Sequence, residues 1–212
     1  MNHPELILFD LGGVLFEYRN FFNTAAKELK IERNVILHTL GEYALEANLG
    51  KITLHEIYLK CIEENGFDID KNYDITLSYV RDLERIVPSY NFLIRLSKKY
   101  NIGLLSNIFK GFVPLIIERE IIPNIDYKYK FLSCDIGLKK PDNEIYEYVN
   151  TKTGLNPNKI FFVDDYEENT EAARKHGWQV NTFLRETPEQ SIEVLTKQLF
   201  CERNTPDIRS GI

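Results

Sequence analysis

The ten residues LILFDLGGVL, at positions 6 to 15, constrain this chain more than any other stretch. Leu6 to Phe9 form an apolar run of the kind a fully buried parallel strand shows, and Asp10 follows at once. Gly12 and Gly13 then let the backbone turn tightly and approach a ligand closely. An Asp followed by glycines is also ordinary turn chemistry, so the segment alone leaves both readings open. In open α/β sheets, ligand sites lie at the carboxyl ends of strands, which makes Asp10 a candidate reactive carboxylate if the rest of the chain builds such a sheet.

The remainder divides into two patterns. Residues 18 to 88 are helical in period, with no convincing strand. Phe21, Phe22, Ala25, Ala26 and Leu29 fit one helix stripe, and Val35, Ile36, Leu40, Tyr43, Ala44 and Ala47 a second, stopped by Gly50. Thr53 with Glu56 reads as a capping box opening a helix that ends at Gly66, and a fourth helix is expected from Asp74 to Arg85. From Pro88 onward helix and strand alternate, the signature of a parallel sheet covered on both faces. Strands are expected at Ile102–Leu105, Tyr129–Cys134, Ile160–Val163 and Trp178–Phe183. Helices are expected at Asn91–Lys99, Val113–Glu120, Glu144–Thr153, Glu168–His176 and Pro188–Phe200. The expected architecture is therefore an α/β catalytic core of residues 1–17 and 89–200, interrupted after its first strand by a helical block at 18–88, with a frayed tail at 201–212.

Composition excludes several classes of function. The formal charge of −6 and the lack of a basic run argue against nucleic acid, and acidic charge also disfavours anionic membranes. No apolar stretch approaches the roughly 20 residues of a membrane helix, and the start, MNHPEL, lacks the regions of a secretory signal, so a cytoplasmic location is expected. Cys61, Cys134 and Cys201 are odd in number and far apart, and read as reduced thiols.

Four expected strands end in polar residues. Asp10 follows the first, Ser106 and Asn107 the second, Lys140 and Pro141 come shortly after the third, and Asp164 and Asp165 follow the fourth. Each alone is a weak signal, since an SN pair is commonly a helix cap and a KP pair a solvated loop. In a parallel sheet all four ends face one edge, so a carboxylate, a hydroxyl, an amide, an ammonium and a carboxylate pair should converge there.

That order resembles the haloacid dehalogenase-like superfamily of hydrolases, through FDLGGVL at 9–15, LLSN at 104–107, GLKKPDNEIY at 137–146 and FFVDDYEENTEAARKHG at 161–177. The block at 18–88 looks like the cap that the family inserts after its first motif. The chain is similar in particular to a branch of small phosphatases, some acting on hexose phosphates, with Gly at the second position after the nucleophile. The resemblance implies a Rossmann-like sheet of order 5-4-1-2-3, a requirement for Mg²⁺ and an aspartyl-phosphate intermediate. It casts Asp10 as nucleophile and Asp10, the Gly12 carbonyl, Asp165 and Asp164 (directly or through water) as hard oxygen ligands. Lys140 would offset the carboxylates, with Lys139 solvated, and Ser106 and the Asn107 amide would bond the phosphoryl oxygens. Asn169, often Asp in relatives, would hydrogen-bond within its loop.

Gly12 departs from the pattern. Most phosphatases of the family carry there a second Asp that acts as general acid and base, help worth about 10²- to 10⁴-fold, for which Glu17 or Glu46 could substitute. The expected activity is hydrolysis of a small phosphorylated metabolite such as a sugar phosphate, by a monomer or homodimer. One alternative is a 2-haloacid dehalogenase, a metal-free relative whose fourth motif usually reads SSN where this chain has VDD at 163–165. Two adjacent carboxylates beside a third repel unless a cation intervenes, which weighs against it. The other alternative is a catalytically silent protein that keeps the fold and the phosphate cradle.

Overall fold

The computed structural model describes residues 3–18 and 20–200. The chain opens with β1 (Leu6–Phe9), and every residue of it is buried, as both-face coverage of a parallel strand requires. A short β2 (Phe16–Tyr18) leads into four helices, α1 (Phe21–Leu29), α2 (Arg33–Asn48), α3 (Leu54–Asn65) and α4 (Ile75–Arg81), and β3 (Leu83–Arg85) leads out. There follow α5 (Val87–Leu96), β4 (Asn101–Ser106), α6 (Phe112–Glu118), β5 (Tyr127–Leu132) and α7 (Ser133–Ile136). The chain then adds α8 (Asn143–Thr153), β6 (Ile160–Asp164), α9 (Glu167–Lys175), β7 (Gln179–Thr182) and α10 (Pro188–Phe200). Among the described residues, no helix is long and apolar enough to cross a membrane.

The large sheet is parallel, in the order β5-β4-β1-β6-β7. Numbered among themselves, its five strands follow the expected order 5-4-1-2-3; the labels differ because β2 and β3 form a separate antiparallel ribbon. That ribbon is a correction. Three-residue strands, FEY and LER, are too short to display a period of two, and the helix expected to run to Arg85 stops at Arg81, before the second of them. Cys134 likewise belongs to α7 and not to the preceding strand. Helix α5 begins at Val87 with Pro88 in its first turn, where the missing N–H costs nothing. The expected frayed tail, with Cys201, lies outside the described residues, whereas Cys61 and Cys134 are buried free thiols.

Alternation along the strands sorts the core. Ile7 and Phe9 of β1, Ile102 and Leu104 of β4, and Phe161 and Val163 of β6 share one face with Leu93 and Leu96 of α5 and Leu195 of α10. Leu6, Leu8, Leu105, Ile160 and Phe162 point the other way, onto Ile145 and Val149 of α8 and Ala173 of α9. The first of these clusters continues into the helical block through Phe21, Leu54, Tyr58 and Tyr79. Within the block, the Thr53 hydroxyl accepts from Glu56 N at 3.2 Å and Thr53 N donates to the Glu56 carboxylate at 2.7 Å, the expected capping box. Helix α3 closes on Gly66 in the left-handed region, φ 66°. The block meets the core through Tyr79, whose ring lies 5.2 Å from that of Phe112 on α6.

Candidate active site

The two central strands set the site. β1 and β6 pair in register, Phe9 against Val163, and Asp10 N continues the ladder to Val163 O at 2.9 Å. Asp10 and Asp164 therefore emerge side by side. One carboxylate oxygen from each of Asp10, Asp164 and Asp165 can be chosen such that all lie within 4.8 Å of one another. Lys140, itself 3% exposed, reaches between the first two, with Nζ 2.9 Å from Asp10 Oδ1 and 2.5 Å from Asp164 Oδ2. Ser106, at the end of β4, donates its hydroxyl to Asp10. Thus Asp10, Ser106, Lys140, Asp164 and Asp165 meet at one sheet edge.

Asn107 also reaches the lysine loop. Its side-chain amide is tied to the Lys140 backbone, Nδ2 donating to Lys140 O and Oδ1 accepting from Lys140 N, both at 2.9 Å. Its side chain holds the lysine loop in place. Lys139 turns outward to Asp142 at 3.1 Å. Asn169 donates to both oxygens of Asp164, at 3.0 and 3.1 Å, and Tyr166 N donates to Oδ1 at 2.8 Å. Asp164 thus has protein donors on both oxygens.

Asp165 does not. Its Oδ2 pairs with Arg185, but its Oδ1 is buried without a hydrogen-bond partner. An orphaned buried carboxylate oxygen beside two other carboxylates is costly, and a divalent cation with oxygen preference fits the defect. The Asp165 carboxylate packs against the Gly13 backbone: a Cβ on Gly13 would sit 2.3 Å from Asp165 Oδ2, and φ at Gly13 is +74°. Burial pushes the Asp165 carboxyl above its usual range, with Asp164 adding to the rise and Arg185 opposing it. Burial likewise raises Asp10 to about 6, against the opposing pull of Lys140. Lys140 is held above the ordinary lysine range, because Asp10 and Asp164 outweigh its own burial.

Two side chains of the site were missed in the sequence. Arg185 lies beyond β7, with its guanidinium 5.4 Å from the Tyr166 ring as well as on Asp165, and no local pattern marks it. Tyr18 covers Gly12, so that a Cβ there would lie 2.9 Å from the tyrosine hydroxyl. Its phenol is raised well above the ordinary range by crowding around its tip, reinforced by Tyr79, Asp10 and Asp165. The residue is nonetheless 52% exposed, so solvent softens the burial effect, and Tyr79, Asp10 and Asp165 push in the same direction. Among the described residues, the carboxylate cluster comprises Asp10, Asp164 and Asp165, without the expected substitutes Glu17 and Glu46. On β2, Phe16 and Tyr18 share the face toward the cleft, which turns Glu17 away, and Glu46 is exposed on α2.

A five-stranded parallel sheet with a lysine-bridged carboxylate cluster at its carboxyl edge defines an α/β protein of the Rossmann-like class with its candidate site at the strand ends. The chain belongs to the haloacid dehalogenase-like hydrolases, whose family model matches residues 4–177. Among solved structures, a haloacid dehalogenase family enzyme, BT-2542 from Bacteroides thetaiotaomicron, is 25% identical with a TM-score of 0.74, over 87% of this chain and 95% of that one. The same enzyme in complex with magnesium and inorganic phosphate is 23% identical by that comparison, with a TM-score of 0.73, over 86% of this chain and 95% of that one. Bifunctional epoxide hydrolase 2 of Mus musculus is 25% identical over 93% of this chain, which spans only 40% of that protein's length.

Proposed function

We propose that this chain is a Mg²⁺-dependent phosphomonoesterase of a small phosphorylated metabolite, with Asp10 as nucleophile. The observation that carries the reading is the unpaired, buried Oδ1 of Asp165 within the three-carboxylate cluster. Asp10, Asp165 and the Gly12 carbonyl would hold the cation, while Asp164, already saturated with donors, adds charge and anchors Lys140. When bound, Mg²⁺ supplies positive charge that offsets the carboxylates and the transferring phosphoryl group. BT-2542, crystallised with magnesium and inorganic phosphate, lends the reading support by likeness of fold.

The chain's own groups then do the following. An Asp10 oxygen forms a bond to phosphorus as the ester oxygen departs, giving an aspartyl phosphate and an alcohol once that oxygen takes up a proton. Water then attacks the aspartyl phosphate, releasing inorganic phosphate and restoring the carboxylate. Ser106 orients Asp10 through its hydrogen bond, and Lys140 stabilises charge on the transferring group. Asn107 fixes the lysine loop, so that the ammonium arrives already placed. Helices α1–α4, spliced in through the β2–β3 ribbon, act as the cap over this edge.

Removal of divalent cations should abolish hydrolysis of p-nitrophenyl phosphate, and added Mg²⁺ should restore it. Full turnover in EDTA would defeat the metal dependence, and no phosphate release with halide release from a 2-haloacid in EDTA would favour a metal-free dehalogenase.

A further inference from the structure

Next to the carboxylate cluster lies a cleft of about 110 Å³. Its walls are the rings of Phe16, Tyr18, Tyr79, Phe109 and Phe112, with the side chain of Asn48 from the end of α2. The rings contact one another in a continuous set: Tyr18 lies 5.4 Å from Phe16 and 5.7 Å from Tyr79, and Phe109 lies 5.5 Å from Phe112. No Lys, Arg, Asp or Glu lines it. Two wall residues tie it to the reacting edge. Tyr18 lies over Gly12 and feels the charges of Asp10 and Asp165, and Asn107 both borders the cleft and clamps Lys140. The cleft thus borders the reacting edge through these two residues.

Resting on the phosphomonoesterase reading above, we propose that this cleft receives the alcohol portion of a phosphomonoester whose body is uncharged, largely apolar and about the size of one six-membered ring. Size is the first constraint: a cavity of about 150 Å³ accommodates benzene, and this one is somewhat smaller. Charge is the second, because a carboxylate or ammonium carried into an aromatic pocket without a counter-charge loses hydration that nothing there replaces. Hydrogen bonding is the third. A hexose brings several hydroxyls, each with donor and acceptor capacity, whereas the walls offer two phenols, the Asn48 amide and the half of the Asn107 amide that Lys140 does not use. The sugar phosphate expected from sequence is therefore the poorer fit.

The test is binding to the non-turning Asp10→Asn variant with Mg²⁺, by calorimetry, of benzyl phosphate, glucose 6-phosphate and O-phosphoserine. Benzyl phosphate should bind at least tenfold more tightly than either of the others. Adding Phe109→Asp should remove that advantage by placing a charge on the wall. Equal affinities, or tighter binding of the sugar or amino-acid ester, would overturn the proposal, whether or not the Phe109 variant folds. Turnover of the same esters by the wild-type protein is read separately: a retained binding preference with no hydrolysis of any ester would sink the phosphatase reading alone.

Discussion

At the scale of single residues, the site is an unfavourable arrangement that a cation would relieve, and Asp10 is where this can be measured. Its carboxyl titrates at about 6 when folded, against an ordinary 3.8, because burial disfavours the charge. A folded pKa above the unfolded one means that the native state binds the extra proton between those values. Stability of the cation-free protein should therefore fall as pH rises from about 4 to about 6, by on the order of 3 kcal/mol from this residue. Asp10→Asn, nearly isosteric, should lack that fall, be the more stable protein at pH 7 without divalent cations, and show no turnover. Urea denaturation of both proteins at pH 4 and pH 7 checks it; a gap that does not widen with pH would show that Asp10 is not the strained group. Gly12 gives a second residue-scale prediction. Its backbone is not in the left-handed region, which belongs to Gly13, but the Tyr18 ring occupies the space of any side chain there. Gly12→Asp alone should give no gain on alkyl phosphates. The Gly12→Asp, Tyr18→Ala double variant should exceed Tyr18→Ala by about 10²-fold in kcat on alkyl phosphates and by less on aryl phosphates, if leaving-group protonation is limiting. A gain in the single variant would show that Tyr18 yields its place freely.

At the scale of elements, legibility followed how much chain each element uses to announce itself. β1 was readable because burial on both faces writes an unbroken apolar run, and α3 because its capping box and terminal Gly66 are local signals. β2 and β3 were not, since three residues carry no period and their pairing, Tyr18 with Leu83, spans the whole helical block. The same contrast runs through the site. Asp10, Ser106, Asp164 and Asp165 were legible as strand ends, and Lys140 as a residue just past one. The inward turn of Asn107, the reach of Arg185 and the lie of Tyr18 over Gly12 are tertiary facts with no local signature. One loop between elements is open to test. Gly50, after α2, sits at φ +71°, and a Cβ on it would stand 1.9 Å from the Cys134 carbonyl of α7. Two backbones cannot part cheaply, so Gly50→Ala must push the α2–α3 turn away from α7. Hydrogen exchange should then rise in α2 and α3 and stay unchanged in β1 and β6; unchanged exchange in α2 and α3 would mean that this seam does not hold the block.

For the molecule as a whole, the pairing of β1 with β6 has a consequence in metrology. Adjacent strands stand about 4.8 Å apart wherever backbones hydrogen-bond, whatever side chains they carry. Asp10 and Asp164 each stand one residue beyond the pair Phe9–Val163, so the sheet repeat sets the spacing of their backbones, and one carboxylate oxygen from each of Asp10, Asp164 and Asp165 falls within 4.8 Å of the others. The gauge of the site is therefore the peptide group itself. Helices, cleft walls and the whole α1–α4 block can be redrawn by mutation while that gauge stays fixed. A single residue inserted into β1 would instead turn Asp10 onto the opposite face and erase the site in one step.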